Sequence, residues 1–300
     1  MSPPNDDASA PSSCSGDACD YSHCVPNTQH SHHVQQETSC STMNHHSTQQ
    51  HIHIEIISDV GCPFCFLGKT QLEKALELLG AKYINTSSPI TNITYSIEWK
   101  PFLLNPSIPA EGQERARFFK VKFGVEFSEE EKKNPSLLLK AMPMLAHIEQ
   151  MGQDLGITTM NVANMNLPMI NSLNAHRLMK LVAERYPPRE YDTQNQVSER
   201  IFRSYFEQAL DVSKVEVLKQ IVKDCHIEKD VTENFFLEDP LTNSGDLYLT
   251  QVKDEARRAS FSTNGVPYFN FVNVTRGVRT NGSGAMGVQK FLKILQSLVK

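Results

Sequence analysis

Several features that would place this 300-residue chain in a broad class are missing from it. No apolar run approaches the roughly 18 residues of a membrane-spanning helix, so no membrane span is expected. The opening MSPPNDDASA lacks the basic and then apolar pattern of a secretory signal. Residues 1–51 hold no Lys or Arg, which argues against a mitochondrial presequence. The expectation is a cytoplasmic protein, where structural disulfides are uncommon and the sequons at Asn92, Asn273 and Asn281 carry no glycosylation meaning. No basic patch stands out either, so nucleic acid is not an expected partner. Asp6, Asp7, Asp17, Asp20 and Glu37 carry the whole formal charge of -5, and the rest of the chain is balanced. What is present, 39% hydrophobic and 21% charged residues, is enough for a sizeable core.

Residues 1–50 are rich in Ser, Thr, Asn, Gln and His with almost no apolar periodicity, the composition of a disordered tail. Cys14, Cys19, Cys24 and Cys40 lie there among several histidines. The spacing of five in CSGDACDYSHC is not that of a paired knuckle, so no metal site is expected. A metal-binding interaction protein is kept as an alternative function.

Order begins at IHIEIISDV, where Ile52, Ile54 and Ile56 alternate with His51, His53 and Glu55, a strand. CPFCFLGKTQLEKALELL follows with Phe66, Leu72, Leu76 and Leu79 at helical spacing and Gly80 as a stop. ITYSIEWKPFLL restores the alternation up to Pro101. Residues 110–240 then look mainly helical, with NSLNAHRLMKLVAERY and QNQVSERIFRSYFEQAL as long amphipathic segments and another region interrupted or bounded by Pro143. GVPYFNFVN is again a strand and GVQKFLKILQSLVK a terminal helix. Strands flanking a helical block predict an α/β fold with a large all-helical insertion rather than two tandem domains. The expected division is a tail over 1–50, a first core segment over 51–109, an insertion over 110–242 and a second core segment over 243–300.

Cys62 and Cys65 bracket Pro63 and Phe64, and Cys62 stands where the helix should begin. The orphan N–H groups and positive end of a helix favour a thiolate there. Pro63 suits the first turn because it has no N–H to leave unpaired. This makes Cys62 the expected nucleophile and Cys65 the thiol that resolves a mixed disulfide. A zinc site needs a second ligand pair, and the other cysteine beyond the tail, Cys225, has only His226 beside it. About 200 residues on, Val266 precedes Pro267 at the start of a strand. A cis bond there would expose the backbone groups of Val266 to a bound thiol or peptide.

SDVGCPFCFLGKTQLEKAL, WKPFLLNPSIPAEG, KFG, NSLNAHRL and GVPYF occur in this order. Together they resemble the FrnE-like branch of the DsbA family of thioredoxin-fold oxidoreductases over about residues 52–300. The resemblance implies a thioredoxin core interrupted by helices, with the active-site pair on Cys62 and Cys65 and the cis proline on Pro267. Pro63, Phe64 and Val266 join Pro267 as expected substrate contacts. Trp99, Pro101 and Phe102 match the signature after the second strand, and Asn171, Ala175 and His176 match that of the insertion. Two departures stand out: Phe64 occupies the position where this branch commonly has Trp, and the His that DsbA itself carries there is absent.

Asp59 and His176 are candidate supporting residues: Asp59 for helix start, turn geometry or proton transfer, His176 for substrate contact, proton handling or packing. Lys69 is expected to be solvated. The leading function is thiol–disulfide exchange in either direction, on protein or small-molecule thiols, with no bound cofactor required and glutathione a redox partner. The alternative is a glutathione-dependent transferase or small-molecule isomerase of the kappa-class or chromene-carboxylate type. Those relatives use a serine where this chain keeps both cysteines.

Overall fold

The computed structural model describes residues 49–84, 86, 92–231, 235 and 247–300. The tail expected over 1–50, with its cysteines and histidines, lies outside the described residues except at its last two positions.

Alternating isoleucines build the centre of the sheet. In β1 (Gln50–Ser58) Ile52, Ile54 and Ile56 are fully buried on one face. The opposite face carries His51, His53 and Glu55. Gly80 ends α1 (Pro63–Leu79) in the left-handed conformation, φ 73°, which only glycine adopts without strain. A short β2 (Lys82–Tyr83) and then β3 (Ile93–Pro101) follow. β1 pairs with β3 in parallel, Ile54 opposite Ile97, and β2 pairs with β3 in parallel. The chain returns as β4 (Tyr268–Asn273), antiparallel to β1 with Phe271 opposite Ile54, and β5 (Val278–Ser283), antiparallel to β4. The sheet order is β2-β3-β1-β4-β5.

Between β3 and the return lie α2 (Arg115–Phe123), α3 (Glu129–Lys133), α4 (Pro135–Ala141), α5 (Pro143–Asp154), α6 (Leu173–Arg185), α7 (Thr193–Phe206), α8 (Val215–Asp224) and α9 (Leu247–Ser262). Terminal α10 (Val288–Val299) packs on α1 and closes the core. This is the α/β thioredoxin fold with a helical insertion. Pro143 separates two helices, because its missing N–H and fixed φ suit a first turn and break an interior. Strand β5 is short, polar and mostly exposed, VRTNGS, and carries none of the apolar alternation that marks β1 and β3.

The insertion is packed onto the core through aromatic rings. Phe66 of α1 stacks on Phe202 of α7 at 5.4 Å and on Phe206 at 5.9 Å. Trp99 of β3 meets the same Phe202, and its Nε1–H donates to Asn195 at 3.2 Å. The Gln194 side chain accepts from the Trp99 N–H and donates to the Trp99 carbonyl, satisfying β3 where a neighbouring strand would otherwise do so. Lys69 departs from expectation: it is 1% exposed. Its ammonium is held between Glu73 at 2.6 Å and Glu199 of α7 at 2.5 Å, because the α1 face it occupies turns toward the insertion rather than toward water.

Candidate active site

The turn from β1 into α1 is held by Asp59. Its Oδ1 accepts from the Gly61 N–H at 3.0 Å, and its Oδ2 accepts from the Leu104 N–H at 2.7 Å. The carboxylate thus ties this turn to the segment after β3 and does not cap the helix; the cap position belongs to Cys62, which makes no side-chain capping bond. Pro63 occupies the first helical position. The Cys62 N–H donates to the Asp59 carbonyl at 3.0 Å, and the Cys65 N–H donates to the Cys62 carbonyl at 3.0 Å. One turn of helix therefore places both sulfurs on the same side.

Both cysteines are free thiols and both are buried, Cys62 4% and Cys65 0% exposed. Burial pushes the Cys65 thiol well above its ordinary range, and the neighbouring Cys62 sulfur adds to that. Cys62 instead meets an apolar cavity of about 220 Å³. Pro63, Phe64, Phe118, Phe123 and Met144 share its wall, so the cavity runs from the thiol onto α2 and α5 of the insertion. Arg115 also lines it and is 3% exposed. Its Nη1 donates to the carbonyls of Asn161 and Val162, and its Nη2 donates to the Tyr205 hydroxyl.

The Val266–Pro267 peptide is cis. Pro267 lies against α1 at Gly68, where an added Cβ would come within 3.0 Å of the proline ring and 3.2 Å of Phe269. A glycine is needed there for the strand and helix to approach so closely. Val266 is partly buried against the core.

His176 is buried on α6, and its Nε2 is 3.7 Å from Asp59 Oδ1. Burial alone would raise the Asp59 carboxyl. The imidazole and the Gly61 and Leu104 N–H groups outweigh it and hold the carboxyl below its ordinary range. His176 packs in the interior rather than facing the cavity beside Cys62. Among the described residues no cluster of three or more His, Cys, Asp or Glu side chains could hold a metal ion. No helix among them is long and apolar enough to cross a membrane.

The model of the DSBA-like thioredoxin domain matches residues 53–296. The chain belongs to the DSBA-like thioredoxin domain family. DsbA homologues in this family are thiol–disulfide oxidoreductases. Its relatives include the uncharacterized protein YwbO of Bacillus subtilis (strain 168), 22% identical over 178 residues, 59% of this chain and 68% of that protein. A probable DsbA oxidoreductase from Streptomyces coelicolor superposes with a TM-score of 0.60 at 21% identity, over 83% of this chain and 90% of that one. A putative protein disulfide isomerase from Nitrosomonas europaea gives 0.51 at 14% identity, over 82% and 96%. At these identities the two structures speak to the fold alone.

The cavity itself was not legible in the sequence. Arg115, Phe118 and Phe123 lie in RARFFKVKF, which reads simply as a helix, yet Phe123 is 50% exposed. Three phenylalanines on nine residues beside so many cations, with no clean apolar stripe, is the signal that the helix borders an open apolar surface.

Proposed function

We propose that this DSBA-like chain exchanges disulfides through the Cys62–Cys65 dithiol, with Cys62 the nucleophile and Cys65 the resolving thiol. The observation that carries the reading is the asymmetry of the pair. Cys62 stands at the start of α1 on an apolar cavity, while Cys65 is sealed behind it and held protonated by burial. A substrate sulfur enters over Pro63 and Phe64 and meets Cys62. The backbone of Val266, before the cis Pro267, takes the extended chain on the other side. The apolar group beside the substrate sulfur packs into the cavity against Phe118 and Phe123. Protein and small-molecule disulfides, glutathione disulfide among them, share the chemistry this site recognises.

The exchange needs no bound cofactor, and its direction is set by relative reduction potentials. In a cytoplasmic setting the pair would stay mostly reduced and act as a reductase or isomerase. The FrnE-like branch and the division into 51–109, 110–242 and 243–300 belong to the same proposal, supported by the motif order and by the run of helices between β3 and β4.

The test is chemical trapping. Cys62→Ala should abolish exchange and prevent a mixed disulfide. Cys65→Ala should let that intermediate form and persist, since the intramolecular attack that releases it is gone. Mass spectrometry of the adducts reads both. Equal exchange by wild type and the Cys62→Ala, Cys65→Ala double variant would sink the reading and bring the transferase or isomerase alternative forward.

A further inference from the structure

Among the described residues, Arg115 is the one charged side chain in the wall of the apolar cavity beside Cys62. It opens α2 and is buried next to Phe118, Met144 and Ile148. A guanidinium keeps its charge inside a protein, and burying it without a counter-charge is costly. Here its partners are all neutral. Three of its five N–H groups meet the Asn161 and Val162 carbonyls and the Tyr205 hydroxyl, and Nε has no acceptor. The acids that reach this neighbourhood are engaged elsewhere. Glu149 of α5 accepts from the Met160 and Val162 N–H groups, Asp211 from Ser213, and Asp59 from Gly61 and Leu104.

A second cation lies beside the same wall. The α2 sequence RARFFKVKF has no acidic residue, and Lys122 Nζ is 5.5 Å from the centre of the Phe118 ring. Lys122 donates to the neutral Asn105 side chain, whereas Lys120 is paired with Glu126. Aromatic walls with unpaired cations suit an apolar body that bears a negative charge. The cavity holds about 220 Å³. That is less than the roughly 300–1,000 Å³ of a site for a drug-sized ligand, so it takes a single ring-sized group.

We propose that Arg115 makes this cavity a carboxylate-selective subsite, and that the disulfide exchanged at Cys62 belongs to a small apolar acid, a ring or short chain bearing a carboxylate. The proposal rests on the Cys62–Cys65 exchange reading and names its substrate class. The apolar body packs against Phe118, Phe123 and Met144, the carboxylate accepts from Arg115 Nε, and the sulfur meets Cys62. The Cys62 thiolate attacks that sulfur. A new S–S bond forms, the substrate S–S bond breaks, and the far sulfur leaves with its electron pair as a thiolate. Cys65 then loses its proton to solvent and attacks Cys62 Sγ, releasing the seated acid as a second thiolate. The dithiol is oxidised by two electrons and the disulfide is reduced by two. Arg115 binds and selects; it does not take part in the bond changes.

The experiment uses the full chain carrying Cys65→Ala, so that adducts persist, and two small aromatic disulfides. Dithiobis(2-nitrobenzoate) bears a carboxylate on each ring, and dithiodipyridine is neutral. Quenched-flow mixing with peptide mass spectrometry gives the rate of adduct formation at Cys62 for each. Adding Arg115→Gln should lower the ratio of the anionic to the neutral rate roughly 10- to 100-fold, the worth of a hydrogen bond to a charged group. Arg117→Gln, which removes an exposed cation of the same helix, should lower it less than about 2-fold at physiological salt. A purely structural Arg115 would slow both disulfides alike, and an unchanged ratio would overturn the proposal. An equal fall in Arg117→Gln would reduce the effect to general charge attraction and overturn it as well. Should Arg115→Gln fail to fold, the chain with Arg115 intact decides alone. Phenylpropionate should then protect Cys62 from iodoacetamide at a roughly 10-fold lower concentration than phenylpropionamide, and equal protection overturns the proposal. Absence of a Cys62 adduct with either disulfide would instead overturn the dithiol reading, whereas adducts with both at an unchanged ratio leave that reading standing.

Discussion

Asp192→Asn should stabilise the protein, and only above mildly acid pH. Asp192 precedes α7 beside Glu73, half-buried, with its Oδ1 unpartnered. Burial first, and the Glu73 charge second among the raising influences, push its carboxyl from 3.8 up to about 6, against the opposing effects of Lys69, Gln196 and Asn195. Such a difference corresponds to about 3 kcal/mol against the ionised form. Solvent screening of a partly exposed group reduces this to about 1–2 kcal/mol. The folded carboxyl holds its proton more tightly than the unfolded one, so folding takes up a proton between about pH 4 and pH 6. Stability therefore falls as pH rises through that window, and the cost is fully present at neutral pH. Asp192 makes no side-chain capping bond, so Asn removes the charge at nearly constant shape without losing a cap. Urea unfolding at about pH 7.5 should show the variant about 1–2 kcal/mol more stable, and at about pH 4 no more stable than wild type. An equal gain at both values, or a loss at neutral pH, would refute the reasoning.

Two further perturbations test how α1 is held. Lys69→Met should destabilise by about 2 kcal/mol, less than the loss of a fully buried pair because Glu73 and Glu199 can partly rehydrate, and adding Glu199→Gln should restore some of it in denaturant titrations. Gly68→Ala should cost about 1–3 kcal/mol by overpacking against Pro267 and Phe269, and should slow exchange more than an alanine placed at exposed Leu78; equal rates would argue that the approach of Pro267 to α1 is immaterial.

The periodicity of β1, α1 and β3 was readable because each buries a regular set of residues against one neighbour: Ile52, Ile54 and Ile56, then Leu72 and Leu76. The helical block was readable for the same reason, and Pro143 marked its own break. What could not be read depends on which elements meet. Lys69 looks like a solvated side chain until α7 brings Glu199 to it, and β5 looks like a loop because an exposed edge strand needs no apolar alternation. The Cys62 and Cys65 pair announces itself by spacing. The pairing of Asp59 with His176, more than a hundred residues apart, and the cavity that Arg115 and Phe118 border exist only once the insertion has folded back on β1 and α1.

The packing of α1 has a consequence for how such proteins can be taken apart and rebuilt. One flank of this helix rests on α10, where the Gly287 N–H donates to Gln71, and the other on α7 through Phe66 and Lys69. The helix that bears the cysteines thus belongs to two modules at once. Deleting the insertion would strand an aromatic ring and an ammonium on open surface, and transplanting the CPFC turn into a plain thioredoxin scaffold would leave it without half of its support. The unit that can be exchanged between relatives is α1 together with α7, so substitutions accumulated far out in the insertion are free to drift only as long as that shared seam is kept.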